Sequence, residues 1–304
     1  MTSRVLSPTD LHAYIPHRGP NLLLDQLVIR ADGKEGIGEV LVLPGDARGR
    51  ELFGRLGPGG VPCWSEPFLG EILALCGIVL VRDELTAMGK EGVFSMVSRI
   101  AIGRLLRLDR PVRARAELMR SRSGFWQFGG GIEQDGEVIF SGEFMAGAGS
   151  IAGIGCQAAQ TAPTPTPVTA LPAGLLDWKA PHLRFIDGCA AFDPVARTAA
   201  FTYRYPVDHP FVPGHFPNAA LMMGMTQWQA VADGAWALHR LLGHDGEITV
   251  NGRLRRHCGA EIVDVRELTL SVEDGLPRIS ATKRLAFREP VRPGDDLIVE
   301  VAAV

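Results

Sequence analysis

Cysteine is scarce in this chain of 304 residues: Cys63, Cys76, Cys156, Cys189 and Cys258 are odd in number and scattered. There is no C-x-x-C pair and no histidine at zinc-ligand spacing, so free thiols in a reducing compartment are expected and no metal centre is indicated. Also missing are the G-x-x-x-x-G-K-[ST] phosphate loop, the G-x-S-x-G elbow and the H-E-x-x-H helix, which removes motif support for several common enzyme classes. Positive charge is not in excess. The formal net charge is −3 and the pI near 6.3, so no overall field gathers phosphates and nucleic acid is not expected as a partner. Long apolar runs are lacking too: the longest, Ile72 to Val81, is about half of what a bilayer-spanning helix needs. With no extended apolar signal core at the N-terminus, a cytoplasmic, soluble protein without membrane association is expected.

What is present is enough apolar residue, 46%, for one large core or two of about 150 residues each. Residues 149–172 are rich in Gly, Ala, Ser, Thr, Gln and Pro, with neither charge nor sustained period, which suits a linker between domains 1–148 and 173–304. The two domains carry a weak internal duplication. Pro16-His17 opens the first and Pro181-His182 the second, while Gly59-Gly60-Val61-Pro62 has its counterpart in Gly214-His215-Phe216-Pro217, each before an apolar, Ala-rich stretch. That stretch reads as one long buried helix per half, Pro67 to Arg82 and Met223 to Leu242, with Ser65 or Glu66 able to cap the first. Strand-like runs surround them: 93–102, 111–120, 124–134 and 137–145, then 198–205, 267–272, 278–285 and 297–301. Asp135-Gly136 predicts a tight hairpin turn. The fold class expected is α+β: one long central helix wrapped by a mostly antiparallel sheet, present twice.

Four segments carry a resemblance. Ile15 to Asp25 (I-P-H-R-G-P-N-L-L-L-D), Phe211 to Pro217 (F-V-P-G-H-F-P), Phe287 to Leu297 (F-R-E-P-V-R-P-G-D-D-L) and Gly124 to Phe128 (G-F-W-Q-F) resemble the hot-dog-fold β-hydroxyacyl-acyl-carrier-protein dehydratases. The most specific piece is G-H-F-P, followed seven residues later by Gly224 at a helix start. The resemblance implies two tandem hot-dog folds and dehydration of a 3-hydroxyacyl thioester of fatty acid or polyketide type to the trans-2-enoyl product. It also implies an acyl carrier protein as partner, whose phosphopantetheine carries the substrate, and no further cofactor. A monomeric pseudo-dimer and a homodimer are both compatible with a fused pair.

In that family the His of G-H-F-P on one unit works with a Glu or Asp on the long helix of the other. This chain departs from the pattern in both halves: Gly60 stands where the first His belongs, and Gln229 where the second acid belongs. One complete site is therefore expected, joining His215 of the second half to a carboxylate of the first-half helix, with Glu71 as first candidate and Glu66 as second. His215 is the expected base and Glu71 the proton donor, its pKa raised by an apolar helix. Backbone N–H groups of Gly224 and Met225 are placed for the thioester oxygen. Gln229 and Phe216 complete the expected substrate contacts, although Gln229 also reads as a relic, and Asp233 is a minor candidate for the lost acid. His17 and His182 read as structural. Arg99, Arg104, Arg107 and Arg110 read as a solvated face, with docking of the acidic carrier as the alternative. Competing functions are an idle acyl-binding or scaffolding module, and thioester hydrolysis on the same fold. The proximity of Glu71 or Glu66 to His215 separates enzyme from binder.

Overall fold

The computed structural model describes residues 2–42, 46, 48, 51–150 and 168–304. The first half contains β1 (Arg4–Leu6), α1 (Pro8–Leu11), β2 (Gln26–Ile29), β3 (Glu35–Val40), β4 (Gly54–Leu56), β5 (Pro62–Trp64), α2 (Glu66–Leu80), α3 (Arg82–Ala87), β6 (Glu91–Ile102), β7 (Val112–Arg122), β8 (Phe125–Gln134) and β9 (Glu137–Gly149). The second contains β10 (Thr169–Ala170), β11 (Gly188–Asp193), β12 (Thr198–Arg204), α4 (Gly224–Leu241), β13 (Ile248–Arg256), β14 (Glu261–Glu273), β15 (Leu276–Phe287) and β16 (Asp296–Ala303). Fourteen of these strands form a single antiparallel sheet in the order β1-β2-β3-β7-β8-β9-β6-β15-β14-β13-β16-β12-β11-β10, while β4 and β5 form a separate hairpin.

The halves meet at the β6–β15 seam, where Val97 pairs with Leu285 and Ala101 with Ala281. Counted outward from this seam, each half contributes seven strands to the sheet. Their chain order differs. After its helix the first half makes the seam strand β6 and then β7, β8 and β9, whereas the second makes β13 and β14 first, then the seam strand β15, and closes with β16. This resolves a mismatch visible in the sequence: after the P-G-D segment the second half has room for one more strand, while the first continues through three. The second sheet is not shorter, because β14, around Leu268, takes the place that β9 holds in the first half, and β13 takes that of β8.

Helix α2 packs on β3, β7, β8 and β9, and α4 on β12 to β16. Both are buried along most of their length, from Glu66 to Val79 and from Met225 to His239; α2 is apolar on nearly every side, as burial requires, while α4 also buries polar residues such as Gln229 and Asp233, which bond each other. Pro67 occupies the first turn, where its missing N–H is harmless, and Ser65 is the N-cap residue without a side-chain capping bond. The two helices pack against each other at Gly70, where an added Cβ would run into the Met225 side chain. Strand β10 falls within the stretch read as linker and pairs with β11; residues 151–167 of that stretch lie outside the described residues. Among the described residues no helix is long and apolar enough to cross a membrane.

Candidate active site

Three segments far apart in sequence converge beneath the seam. The first is the loop after α1, carrying Pro16 and His17. It is docked on the second half: the Arg18 N–H donates to the Gly214 carbonyl at 3.1 Å, and Asn21 Nδ2 donates to the Phe211 carbonyl at 3.0 Å. Gly214 permits this approach, since a Cβ there would collide with the Arg18 carbonyl and the Asn21 amide. The second is the turn carrying His215, held by Leu221 N–H to His215 carbonyl at 2.7 Å and by His215 N–H to Phe211 carbonyl at 3.2 Å. The third is α2, which presents Glu71.

These segments bring His17, Glu71 and His215 together, all buried, with one donor atom from each lying within 4.8 Å of the others. His17 Nε2 is 3.5 Å from Glu71 Oε1, and the His17 ring lies 5.0 Å from that of His215 and 4.9 Å, edge-on, from Phe216. The group opens on a cavity of about 360 Å³ with mostly apolar walls: Ala74, Leu75 and Ile78 of α2, Val93, Phe94 and Val97 of β6, and Phe144 of β9. From the second half come Phe216, Met222, Gly224, Met225 and Phe287.

His215 Nδ1 lies 3.0 Å from the Leu221 carbonyl oxygen. A carbonyl only accepts, so Nδ1 carries the hydrogen and Nε2 keeps its lone pair. Burial first, then the neighbouring His17, push this imidazole down to about 4 against the pull of Glu71, so it is neutral at pH 7. For Glu71, burial pushes the carboxyl up, but the contact with His17 and the pull of both imidazoles outweigh it. Its pKa lies below the ordinary value, opposite to the rise expected from an apolar helix. The cause is His17, which that expectation left out. Gly224 and Met225 stand in the first turn of α4, where backbone N–H groups have no intrahelical acceptor, and both line the cavity.

Glu66 and Gln229 are placed elsewhere and do not line the cavity. Arg55 Nη1 donates to both Glu66 oxygens at 2.8 and 3.1 Å, and the Ile279 N–H donates to Oε1 at 3.0 Å. Gln229 Nε2 donates to Asp233 Oδ1 at 2.8 Å. Asp233 in turn pairs with Lys179 and accepts the Phe185 N–H at 3.0 Å. Arg55 and Lys179 both sit against Trp178, 4.0 and 4.7 Å from the ring. Thus the residues of the reciprocal position, Gln229 and Asp233, belong to a buried ionic network, and Asp233 is not available as an acid. Arg104, Arg107 and Arg110 pair with Glu137, Asp109 and Asp135 at 3.3, 2.6 and 2.6 Å, and Arg99 pairs with Glu143. None of the four lines the cavity.

His17, which reads as structural in the sequence, lines the cavity beside Glu71 and His215. Its repeat counterpart His182 is structural, with Nε2 at 2.9 Å from the Leu52 carbonyl, so the shared Pro-His opening holds no signal separating the two. What distinguishes His17 is its neighbours.

No protein-family model matches the chain, and no curated protein does. Among solved structures, a putative thioesterase from Novosphingobium aromaticivorans is similar over 91% of this chain and 98% of its own, at 15% identity and a TM-score of 0.43. A dehydratase heterocomplex from Xenorhabdus doucetiae matches 45% of this chain and 90% of its own, at 18% identity and a TM-score of 0.37. A hypothetical thioesterase from Streptococcus pneumoniae, with coenzyme A, matches 39% and 80% at 13% identity and a TM-score of 0.30.

Proposed function

We propose that the chain is a hydro-lyase: two fused hot-dog units that dehydrate a 3-hydroxyacyl thioester, carried on the phosphopantetheine of an acyl carrier protein, to the trans-2-enoyl thioester. The observation that carries this reading is the meeting of His215 and Glu71, from opposite halves, in one buried apolar cavity. An idle binding module has no need to bring a neutral imidazole and a carboxylate within one-water reach of each other.

In this reading His215 Nε2 removes the proton from C2 of the acyl chain, a task suited to an imidazole that is neutral at pH 7. The N–H groups of Gly224 and Met225 stabilise the thioester oxygen as it gains enolate character. The hydroxide leaving C3 takes a proton from the His17–Glu71 pair, whose Nε2 and Oε1 lie 3.5 Å apart, so the donor is this pair rather than a lone protonated carboxyl. The apolar walls exclude water, which strengthens each of these interactions. Because both halves of the site lie in one chain, a single copy builds it.

The test is incubation with 3-hydroxyacyl thioesters on carrier protein, following loss of water by intact mass. His215→Ala is expected to lower enoyl formation by about 10²- to 10⁴-fold, with Glu71→Gln close behind and Gln229→Ala nearly neutral. Full activity in the His215→Ala protein sinks the reading. One observation favours a second reaction: a carboxylate held ionised can activate water at the thioester carbonyl, which is hydrolysis. Release of free thiol without enoyl product in the same incubation would select it.

A further inference from the structure

We propose that His17, Glu71 and His215 form a three-ligand site for one divalent cation of the zinc class. Two imidazoles and a carboxylate are a donor set that suits zinc, with a fourth position left for water or a substrate atom. All three side chains are buried and reachable through the cavity. The independent sign of a missing ligand is His17: both of its ring nitrogens are buried and neither makes a hydrogen bond, Nε2 approaching Glu71 Oε1 only to 3.5 Å. A buried imidazole in that condition carries an uncompensated desolvation cost that a metal bond would remove. His215 is already prepared in the way metal-ligating histidines are, its Nδ1–H fixed on the Leu221 carbonyl and Nε2 free.

The donor atoms lie within 4.8 Å of one another, and tetrahedral ligation brings them to roughly 3.4 Å. Turning the unanchored His17 ring supplies part of that closure. The spacing rules of sequence reading do not detect such a site, because its ligands come from a loop, a helix and a turn some 50 to 200 positions apart. A cation here takes the lone pair that His215 uses as a base, so metal loading and dehydration exclude each other. That consequence rests on the dehydratase reading, whereas the loading itself does not.

The experiment titrates chelator-treated, full-length protein with Co²⁺ as a spectroscopic probe, then displaces it with Zn²⁺. One equivalent is expected to give visible ligand-field bands that Zn²⁺ removes, and Zn²⁺ is expected to raise the urea midpoint of the wild-type protein. His17→Ala and Glu71→Gln should weaken Co²⁺ binding by about 100-fold or more, while His12→Ala, at an exposed position, leaves it unchanged. Circular dichroism checks that each variant is folded, and His17→Gln stands in if the alanine variant is not. Absence of stoichiometric loading in the wild type, or loading indifferent to both site variants, overturns the proposal. Loading of the protein, with no enoyl formation by its metal-free form, supports the site while removing the dehydratase reading; turnover by the metal-free form with no loading does the reverse.

Discussion

Buried ionisable groups divide into two sets in this protein, and the division follows from how completely each is satisfied. Lys179 is fully enclosed, and burial holds its ammonium below the ordinary value against the pull of Asp233. Asp233 has a partner for each oxygen, Lys179 and Gln229 on one and the Phe185 N–H on the other. Such a group is a structural anchor. Asp233→Asn leaves a buried ammonium without its counter-charge and is expected to cost about 3–5 kcal/mol of stability in urea unfolding. A variant as stable as the wild type would show that the network carries no such role. His17 and His215, in contrast, keep ring nitrogens uncommitted beside an open cavity, which is the condition chemistry and ligation need. Glu71 was legible in the sequence because an acid inside Leu, Ile and Ala stands out. Its state was not, since the partner that lowers its pKa is more than fifty positions away.

At the scale of elements, the site depends on docking between two loops rather than on either helix alone. The backbone of Arg18 and the Asn21 amide lie directly over Gly214, and this contact sets the distance between His17 and His215. Gly214→Ala is expected to push the loops apart, costing about 1–3 kcal/mol as overpacking does, and to reduce enoyl formation although no site side chain changes. Unaltered unfolding and activity in that variant would show that the loops yield freely. The two long helices and eight of the sixteen described strands were legible from composition and turn residues: 223–242 contains α4, and Asp135 and Gly136 both adopt the positive φ of a tight hairpin turn. Strand β13 is one of those that were not, because Asn251, Gly252 and three arginines obscure its alternation. In the sheet the alternation is plain, with Ile248, Val250 and Leu254 inward, and Arg256 inward too because Asp295 meets it at 3.2 Å.

The whole molecule joins its halves through the β6–β15 ladder and a shared cavity, and His215 and His209 are among the histidines it buries. His215 and His209 are both pushed down to about 4, chiefly by burial. Unfolded histidines protonate near 6.5, so between that value and about 4 the unfolded state binds more protons than the folded one. Stability therefore falls as pH drops through this window, by about 1.4 kcal/mol per pH unit for each histidine. The lowered pKa of Glu71 acts in the same direction at the acid end, its contribution being present above the unfolded value and lost as pH falls through the folded one. Urea midpoints at pH 7, 6 and 5 measure this, and His209→Gln is expected to remove one histidine's share of the slope. A flat midpoint across that range contradicts the burial of neutral histidines.

The sequence by itself determined the two buried helices, the antiparallel surroundings, the loss of His from one half and of the acid from the other, and hence the pairing of His215 with a first-half carboxylate to look for. The helices and the antiparallel surroundings are properties of local pattern, composition and turn chemistry, whereas the lost His, the lost acid and the pairing are implied by the family that the chain resembles. Tertiary structure gave Glu66 to Arg55 and the Ile279 N–H and turned Glu71 into the cavity. It also recruited His17 and ordered the strands of the second half differently from those of the first. These outcomes depend on which surfaces meet across the seam, and contacts between residues far apart in the chain leave no periodic trace in it.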